Sequence, residues 1–188
     1  MGGTLMSLLH GNLNRLSDES LKLLLSYYAT GTLSLKTESL LLRELTEPRN
    51  VGAIARSAAA FSADGLLIPE RRNAPLTAAA WKSSAGAAAR LPIAQVTNLV
   101  RSMQDAKEFG CFVVGLDGDA DTSVDAMEIA DQNLYVVVGS EGRGLSRLVR
   151  ENCDLLISIP MSNTVESLNA SVAMSIALFA IDRKRNAI

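Results

Sequence analysis

The stretch YVVVGSEGRGLS, residues 135–146, joins four strand-forming residues to a loop that holds three glycines within six positions. A tyrosine followed by three valines is typical of a buried β-strand. The glycines allow the backbone to approach a ligand or another segment closely. Glu141 and Arg143 stand between the glycines, so the loop carries charge directly after the strand. This composition makes the stretch a candidate nucleotide or phosphate loop.

Three known loop motifs do not fit it. A P-loop requires Lys and then Ser or Thr after its second glycine, whereas Arg143 and Gly144 follow Gly142. A dinucleotide fingerprint requires G-x-G-x-x-G at the first strand–helix turn, and a nucleophile elbow requires G-x-S-x-G. What remains is a ligand loop at the carboxyl edge of a parallel sheet, where α/β folds bind ligands. A plain strand-to-helix turn is the equally weighted alternative.

Strand-like and helical segments alternate along most of the chain. Predicted strands fall at 65–69, 111–116, 134–138 and 155–160, with a weaker one at 39–44. Predicted helices fall at 50–62, 77–89, 97–109 and 167–183, with a further short one at 17–31. The strands are nearly continuous apolar runs, which is typical of strands buried on both faces. The pattern therefore predicts an α/β fold with a mainly parallel sheet flanked by helices.

Composition narrows the function. The chain has 188 residues, 48% of them hydrophobic, and a formal net charge of −2. Its apolar runs are shorter than a membrane span and its first residues lack signal-peptide character, so we expect a cytoplasmic protein. The net charge argues against nonspecific coating of nucleic acid but allows a local basic patch. The single histidine, His10, excludes His-based triads and multi-His metal sites. Cys111 and Cys153 lack metal-site spacing and are interpreted as small buried side chains.

Two other stretches contain candidate functional residues. In EPRNVGAIARSAAAF, residues 47–61, Asn50 is predicted to cap a helix, and Arg56 is an isolated cation among small and apolar residues. That arginine either faces a site or faces solvent. In SIPMSNTVESLNASVA, residues 158–173, a helix is predicted to begin near Ser167. Ser167 and Asn169 then lie at a helix N-terminus, which favours anions. Ordinary capping by Ser167 is the alternative.

The last predicted helix, SLNASVAMSIALFAIDRKR, is apolar on nearly every side before Asp182. A helix that is hydrophobic all round is expected to be buried all round. One side packed against a sheet does not provide that cover. A second subunit would provide it, and a central core helix in a monomer is the alternative.

Taken in order, these three stretches resemble the three motifs of the SpoU/TrmH family of RNA 2′-O-ribose methyltransferases, which belongs to the SPOUT class. The similarity runs from about Glu47 to Arg183. Residues 71–99 resemble members that act on a guanosine of 23S rRNA more than tRNA-specific members. The resemblance implies a C-terminal trefoil knot, S-adenosyl-L-methionine as the cofactor, RNA as the substrate, and a homodimer joined through the last helix. It implies no metal.

The resemblance also implies which residues form the site. The residues expected to contact the cofactor are Gly139, Ile159, Leu168, Leu116 and Met161. The residues expected to approach the methyl acceptor are Asn50, Arg56, Glu141, Ser167 and Asn169. Arginine stays protonated in proteins, so Arg56 is expected to hold an RNA phosphate and stabilise developing alkoxide charge rather than act as a base. Glu141 is expected to fix Arg56 or the geometry of its own motif. The candidate RNA-binding cations are Arg71, Arg72, Lys82, Arg90, Arg143, Arg147 and Arg150.

The N-terminal part departs from the family pattern. We interpret residues 1–38 as an atypical segment, a remnant of an RNA-recognition domain and its linker, and residues 39–188 as the methyltransferase domain. This departure bears on substrate selection more than on catalysis. Three alternatives remain: a tRNA 2′-O-methyltransferase, a noncatalytic RNA-binding or ribosome-assembly protein that keeps the dimer, and a nicotinamide-dependent enzyme. The glycine spacing disfavours the last of these.

Overall fold

A computed structural model describes residues 38–42 as backbone, and residues 47–70, 77–140, 142–162 and 166–186. Its centre is a seven-stranded sheet in which every strand pair is parallel. In spatial order the strands are β3, β2, β1, β6, β4, β7 and β5. Their bounds are β1 Glu38–Leu42, β2 Gly65–Pro69, β3 Ile93–Val96, β4 Phe112–Leu116, β5 Thr122–Ser123, β6 Leu134–Val138 and β7 Leu155–Ser158. The predicted parallel sheet is confirmed, and β3 and β5 are strands that the sequence pattern did not indicate.

Five α-helices connect or follow these strands in the described residues. They are α1 Pro48–Ala60, α2 Ala78–Ser83, α3 Leu99–Glu108, α4 Arg147–Asn152 and α5 Ala170–Asn186. The predicted helix at 77–89 is wrong in its second half, because Ala85 and Gly86 adopt positive φ angles and end α2. A short 3-10 turn, Ala87–Ala89, follows. Helix α4 was not predicted. The predicted helix at 17–31, and residues 1–37 of the segment interpreted as a remnant, lie outside the described residues.

Two helix starts differ from the sequence-based prediction. Glu47, not Asn50, caps α1, since its side chain accepts a hydrogen bond from the Arg49 amide. Asn50 instead lies inside the first turn and is buried. Helix α5 begins three residues after Ser167, and its capping acceptor is the Asn169 side chain, which is 2.9 Å from the Ser171 amide. The predicted start near Ser167 is therefore three residues early, and the alternative in which Ser167 caps this helix is wrong.

Alternate residues of the central strand pack into two cores on opposite faces of the sheet. Leu134, Val136 and Val138 face a core that also contains apolar residues of α1 and α5. Tyr135 and Val137 face a second core, which contains residues of α3 and α4. This alternation is the two-period geometry of a strand. It confirms that helices cover both faces of the sheet, as the continuous apolar strands indicated.

The last helix is not buried on every side. Val172, Ile176 and Phe179 are 45%, 36% and 51% exposed. Their spacing of four and three residues places them on one stripe of α5. The opposite side of the helix packs on α1 and the sheet, where Met174, Ala177, Leu178 and Ile181 are fully buried. The alternative of a central core helix buried within one chain is therefore wrong, and cover of this stripe by a second subunit stays a prediction. None of the described helices is both long and apolar enough to cross a membrane.

Candidate functional site

A cavity of about 270 Å³ opens at the carboxyl edge of the sheet. Its walls come from the segments that follow β4, β6 and β7 and from the start of α5. All five residues that sequence reasoning assigned to the cofactor line it: Leu116, Gly139, Ile159, Met161 and Leu168. The cavity therefore brings together residues that are up to 52 positions apart in sequence, from residue 116 to residue 168.

The glycine-rich loop folds back on itself at the mouth of this cavity. The Gly144 amide donates to the Ser140 carbonyl at 2.9 Å, and the two residues form an isolated antiparallel bridge. Gly142 and Gly144 have φ angles of 74° and 61°, which favour glycine. A Cβ at Gly139 would overlap the backbone of Gly144. Gly139 lines the cavity as expected, but the observed reason for a glycine there is the approach of its own loop.

An ion pair forms part of the cavity wall. Arg150 Nη1 on α4 lies 3.1 Å from Asp117 Oδ2, and the Asp117 side chain is only 6% exposed. Asp117 follows β4 directly, and its other oxygen accepts a hydrogen bond from the Asp119 amide at 3.0 Å. Sequence reasoning listed Arg150 among RNA-binding cations and did not select Asp117. The sequence feature that could have identified Asp117 is its position as an acidic residue directly after a predicted strand, at the sheet edge where ligands bind.

Asn50 and Asn169 meet in a hydrogen-bonded group beside the cavity. Asn169 Nδ2 donates to Asn50 Oδ1 at 3.2 Å. The Ser171 hydroxyl lies 2.6 Å from Asn169 Oδ1 and 3.3 Å from Asn50 Oδ1. Farther along the same helix pair, the Ser57 and Ser175 hydroxyls are 2.7 Å apart. These contacts join α1 to α5. Asn50 and Asn169 are thus brought together, but neither lines the cavity.

The other residues assigned to the acceptor are separated in the structure. Ser167 lines the cavity and is exposed. Arg56 is exposed on α1 and does not line the cavity. Of the two orientations left open by the sequence, the single chain therefore has the one in which Arg56 faces solvent. Glu141 lies outside the described residues, so its expected contact with Arg56 stays a prediction.

The cysteines do not form a reactive centre. Both are free and partly buried. Burial raises the pKa of the Cys111 thiol above its usual value and raises the pKa of Cys153 to about 12. Such thiols are protonated near neutral pH and are poor nucleophiles. Across the part of the chain that the structure describes, no three His, Cys, Asp or Glu side chains are grouped to hold a metal ion.

The parallel sheet, its flanking helices and the cavity at the carboxyl edge define an α/β protein of the SPOUT methyltransferase fold class. The model of the SpoU rRNA Methylase family matches residues 38–179, and the chain belongs to this family. Both expectations from sequence, the fold class and the family, are confirmed.

Relatives and solved structures agree with this assignment. Proteins named "Uncharacterized tRNA/rRNA methyltransferase" from Mycobacterium avium (strain 104) and Mycobacterium leprae (strain TN) are each 56% identical over 144 residues. Each alignment covers 77% of this chain and 46% of the relative, so the chain spans about half the length of the curated relatives it matches.

Two solved structures illustrate the structural likeness. The SpoU methyltransferase AviRb from Streptomyces viridochromogenes, in complex with the cofactor AdoMet, has a TM-score of 0.75 at 30% identity. That match covers 80% of this chain and 61% of AviRb. The TrmH/SpoU tRNA modifying enzyme from A. aeolicus has a TM-score of 0.72 at 24% identity, covering 89% of this chain and 85% of that one. The second likeness shows the fold alone.

Proposed function

We propose that this chain binds S-adenosyl-L-methionine in the cavity and transfers its methyl group to a ribose 2′-hydroxyl of RNA. The observation that carries the proposal is the convergence of Leu116, Gly139, Ile159, Met161 and Leu168 on one cavity. Five residues taken at random from three separate segments would not be expected to line the same cavity. AviRb, which is 30% identical, is known in complex with AdoMet, and this supports the same cofactor here.

The chemistry of the cavity fits such a cofactor. Its apolar lining, which includes Leu116, Ile157 and Leu168, suits an adenine ring. Charged side chains in its lining suit the amino-acid part of the molecule. When bound, the cofactor supplies a methyl group on a positively charged sulfonium, so the protein has to align the acceptor more than activate the donor.

On the acceptor side we assign the electrostatic role to Arg56. Its guanidinium stays charged at any physiological pH, and its exposed position on α1 leaves it accessible to an RNA backbone. It would hold a phosphate and stabilise charge that develops on the ribose oxygen. Ser167, which lines the cavity, would contact the acceptor. We assign Glu141 to fixing Arg56.

We assign a positioning role to Asn50 and Asn169. Asn169 lies between Leu168 and Ala170, which both line the cavity. Its side chain points to α1 instead, where it bonds Asn50. The pair therefore holds the segment 167–170 against the cavity by tying it to α1. This differs from the sequence-based expectation that both residues approach the methyl acceptor.

The proposed substrate is a guanosine of 23S rRNA, because residues 71–99 resemble the members with that specificity. A tRNA ribose is the alternative, and relatives named for tRNA or rRNA methyl transfer support either. Exposed cations on the described surface supply RNA contacts: Lys82, Arg90, Arg143 and Arg147. Arg71 and Arg72 lie outside the described residues. A noncatalytic RNA-binding or assembly protein is the competing function, and it requires no intact cofactor cavity.

We further propose a homodimer formed through α5. The exposed stripe Val172, Ile176 and Phe179 is the support, since a large apolar stripe on one helix is typical of a protein interface. Light scattering of the variant Ile176→Glu should give a monomer, because a carboxylate placed in an apolar interface is costly to desolvate. Leu148→Glu is the control, since Leu148 is 58% exposed on α4. A dimer that survives Ile176→Glu would contradict this interface.

The function is tested by incubating the protein with methyl-labelled S-adenosylmethionine and full-length 23S rRNA or tRNA transcripts, followed by mass mapping of the product. A 2′-O-methylated guanosine in the rRNA is the expected product. Methylation of tRNA alone would replace the proposed substrate but keep the reaction. Absence of transfer, together with absence of cofactor binding by calorimetry, would favour the assembly function.

A further inference from the structure

The ion pair of Arg150 and Asp117 lies on the cavity wall, outside the three stretches that carry the family resemblance. Arg150 Nη1 is 3.1 Å from Asp117 Oδ2. The Asp117 side chain is 6% exposed, whereas that of Arg150 is 40% exposed. A buried carboxylate thus holds one end of an arginine whose remainder is open to the cavity and to solvent.

Asp117 is itself held in place. Its backbone amide donates to the Ile157 carbonyl at 2.9 Å, which continues the pairing of β4 with β7. Its Oδ1 accepts a hydrogen bond from the Asp119 amide at 3.0 Å. The carboxylate orientation is therefore set by the sheet and by the turn after β4. Because guanidinium carries five N–H donors and the ion pair joins Asp117 to Nη1, donors on the other nitrogens remain for a ligand.

The charges of the cavity are complementary to one part of the cofactor. S-adenosylmethionine has an adenosine part without formal charge and an amino-acid part that carries a carboxylate and an ammonium group. The cavity lining includes apolar residues, and it also includes the charged residues Asp117, Asp119, Arg143, Arg150 and Glu166. Of the two arginines, Arg150 is oriented by an ion pair and is only partly exposed. A pre-oriented side chain loses less conformational entropy on binding.

We propose that Arg150 binds the α-carboxylate of the methionine part of S-adenosylmethionine, and that Asp117 is a positioning residue that orients Arg150 for this contact. The inference rests on the proposed function, since it specifies how the same cavity holds the cofactor. The Arg150–Asp117 pair then recognises the amino-acid part of the cofactor, and the apolar region binds adenosine independently of this pair.

Calorimetry with two ligands tests the contribution of the amino-acid part of the cofactor separately from that of adenosine. S-adenosylmethionine carries the amino-acid part, and 5′-methylthioadenosine lacks it. Arg150→Met should raise the Kd of S-adenosylmethionine roughly tenfold, the low end for a charge-assisted hydrogen bond because Arg150 is partly solvated. The Kd of 5′-methylthioadenosine should not change. Arg147→Met is the matched control: Arg147 lies on the same helix, its side chain is 91% exposed, and it pairs with Glu151 away from the cavity.

Two further variants test the positioning role and guard against misfolding. Asp117→Asn keeps an acceptor for the Asp119 amide but removes the charge that orients Arg150. It should raise the Kd of S-adenosylmethionine alone, by less than Arg150→Met does. Arg150→Met leaves a buried carboxylate without its cation, so the double variant Asp117→Asn/Arg150→Met is also measured. It should lose no more affinity than Arg150→Met, and retained binding of 5′-methylthioadenosine reports a folded cavity.

Equal losses for both ligands in Arg150→Met would overturn the proposal, because they would indicate a structural role for the pair. A selective loss in Arg143→Met but not in Arg150→Met would overturn it as well. Wild-type protein that binds neither ligand would instead refute the proposed function, and the inference with it. The wild-type titration therefore distinguishes the two failures.

Discussion

The cavity and the neighbouring contact between helices α1 and α5, here called the α1–α5 face, are held together in different ways. The cavity takes its shape largely from backbone: the loop after β6 closes on itself through Ser140 and Gly144, and Gly139 has no room for a side chain. The α1–α5 face is joined by side chains, through the Asn50–Asn169 bond and the Ser57–Ser175 bond. The proposed cofactor site therefore depends on the fold of its loops, whereas the proposed acceptor side depends on individual side chains.

The two regions meet in one short segment. Ser167, Leu168 and Ala170 line the cavity, and Asn169 between them bonds Asn50 on α1. A substitution that displaces the cavity loop should therefore change cofactor binding, and one at Arg56 on α1 should change methyl transfer. A substitution at Asn169 should change both by a small amount.

The largest effect is expected for Arg56→Ala. Loss of one preorganised group that stabilises transition-state charge costs roughly a hundredfold in kcat, and cofactor affinity should stay the same because Arg56 does not line the cavity. The measurements are single-turnover methyl transfer to RNA and calorimetry with S-adenosylmethionine. Arg49→Ala is the control, since Arg49 is a second exposed arginine on α1. Near-normal transfer by Arg56→Ala would remove Arg56 from the mechanism.

An effect of intermediate size is expected for Gly139→Ala. The new Cβ would overlap the Gly144 backbone, and overpacking of this kind lowers the free energy of unfolding by about 1–3 kcal/mol. Displacement of the loop should also weaken cofactor binding. Urea denaturation and calorimetry measure the two effects.

Gly118→Ala is the matched control for that variant. Gly118 also lines the cavity, but a Cβ there meets no atom within 4 Å. The expected result is unchanged stability. If both alanine variants behaved alike, the close approach of Gly144 to Gly139 would not be the reason for the glycine.

The smallest effect is expected for Asn169→Ala. It removes the capping acceptor of α5 and the bond to Asn50, at a cost of about 1 kcal/mol for a lost cap. Asn98→Ala removes the equivalent cap of α3, where Asn98 Oδ1 accepts from the Arg101 amide at 3.1 Å. Both should lower the urea midpoint, but only Asn169→Ala should also weaken cofactor binding. Equal cofactor affinities in the two variants would contradict the positioning role.

Much of the fold could be predicted from the sequence because its strands are strongly apolar. The apolar runs that form β2, β4, β6 and β7 are long enough to be predicted as β-strands from the sequence. By contrast, β5 has only two residues, and α4 has six residues with little periodicity. The start of α5 was placed too early because Ser167 and Asn169 are both good caps, and only the chain path decides between them.

The site was predicted unevenly for a physical reason. The residues expected to contact the cofactor lie at or after strand ends, and the ends of parallel strands meet at one sheet edge. Arg56 and Asn50 lie on a helix, where burial depends on which side packs against α5. Sequence reasoning could not decide that side for Arg56. Asp117 was missed because a single acidic residue after a strand does not by itself indicate a buried ion pair.

The most direct test of the central claim is a crystal structure of the full chain grown with S-adenosylmethionine. Cofactor density is expected in the cavity lined by Leu116, Gly139, Ile159 and Leu168. Asn50 and Asn169 are expected to remain bonded to each other rather than to the cofactor. Density for the cofactor at another place on the chain would contradict the proposed cofactor site.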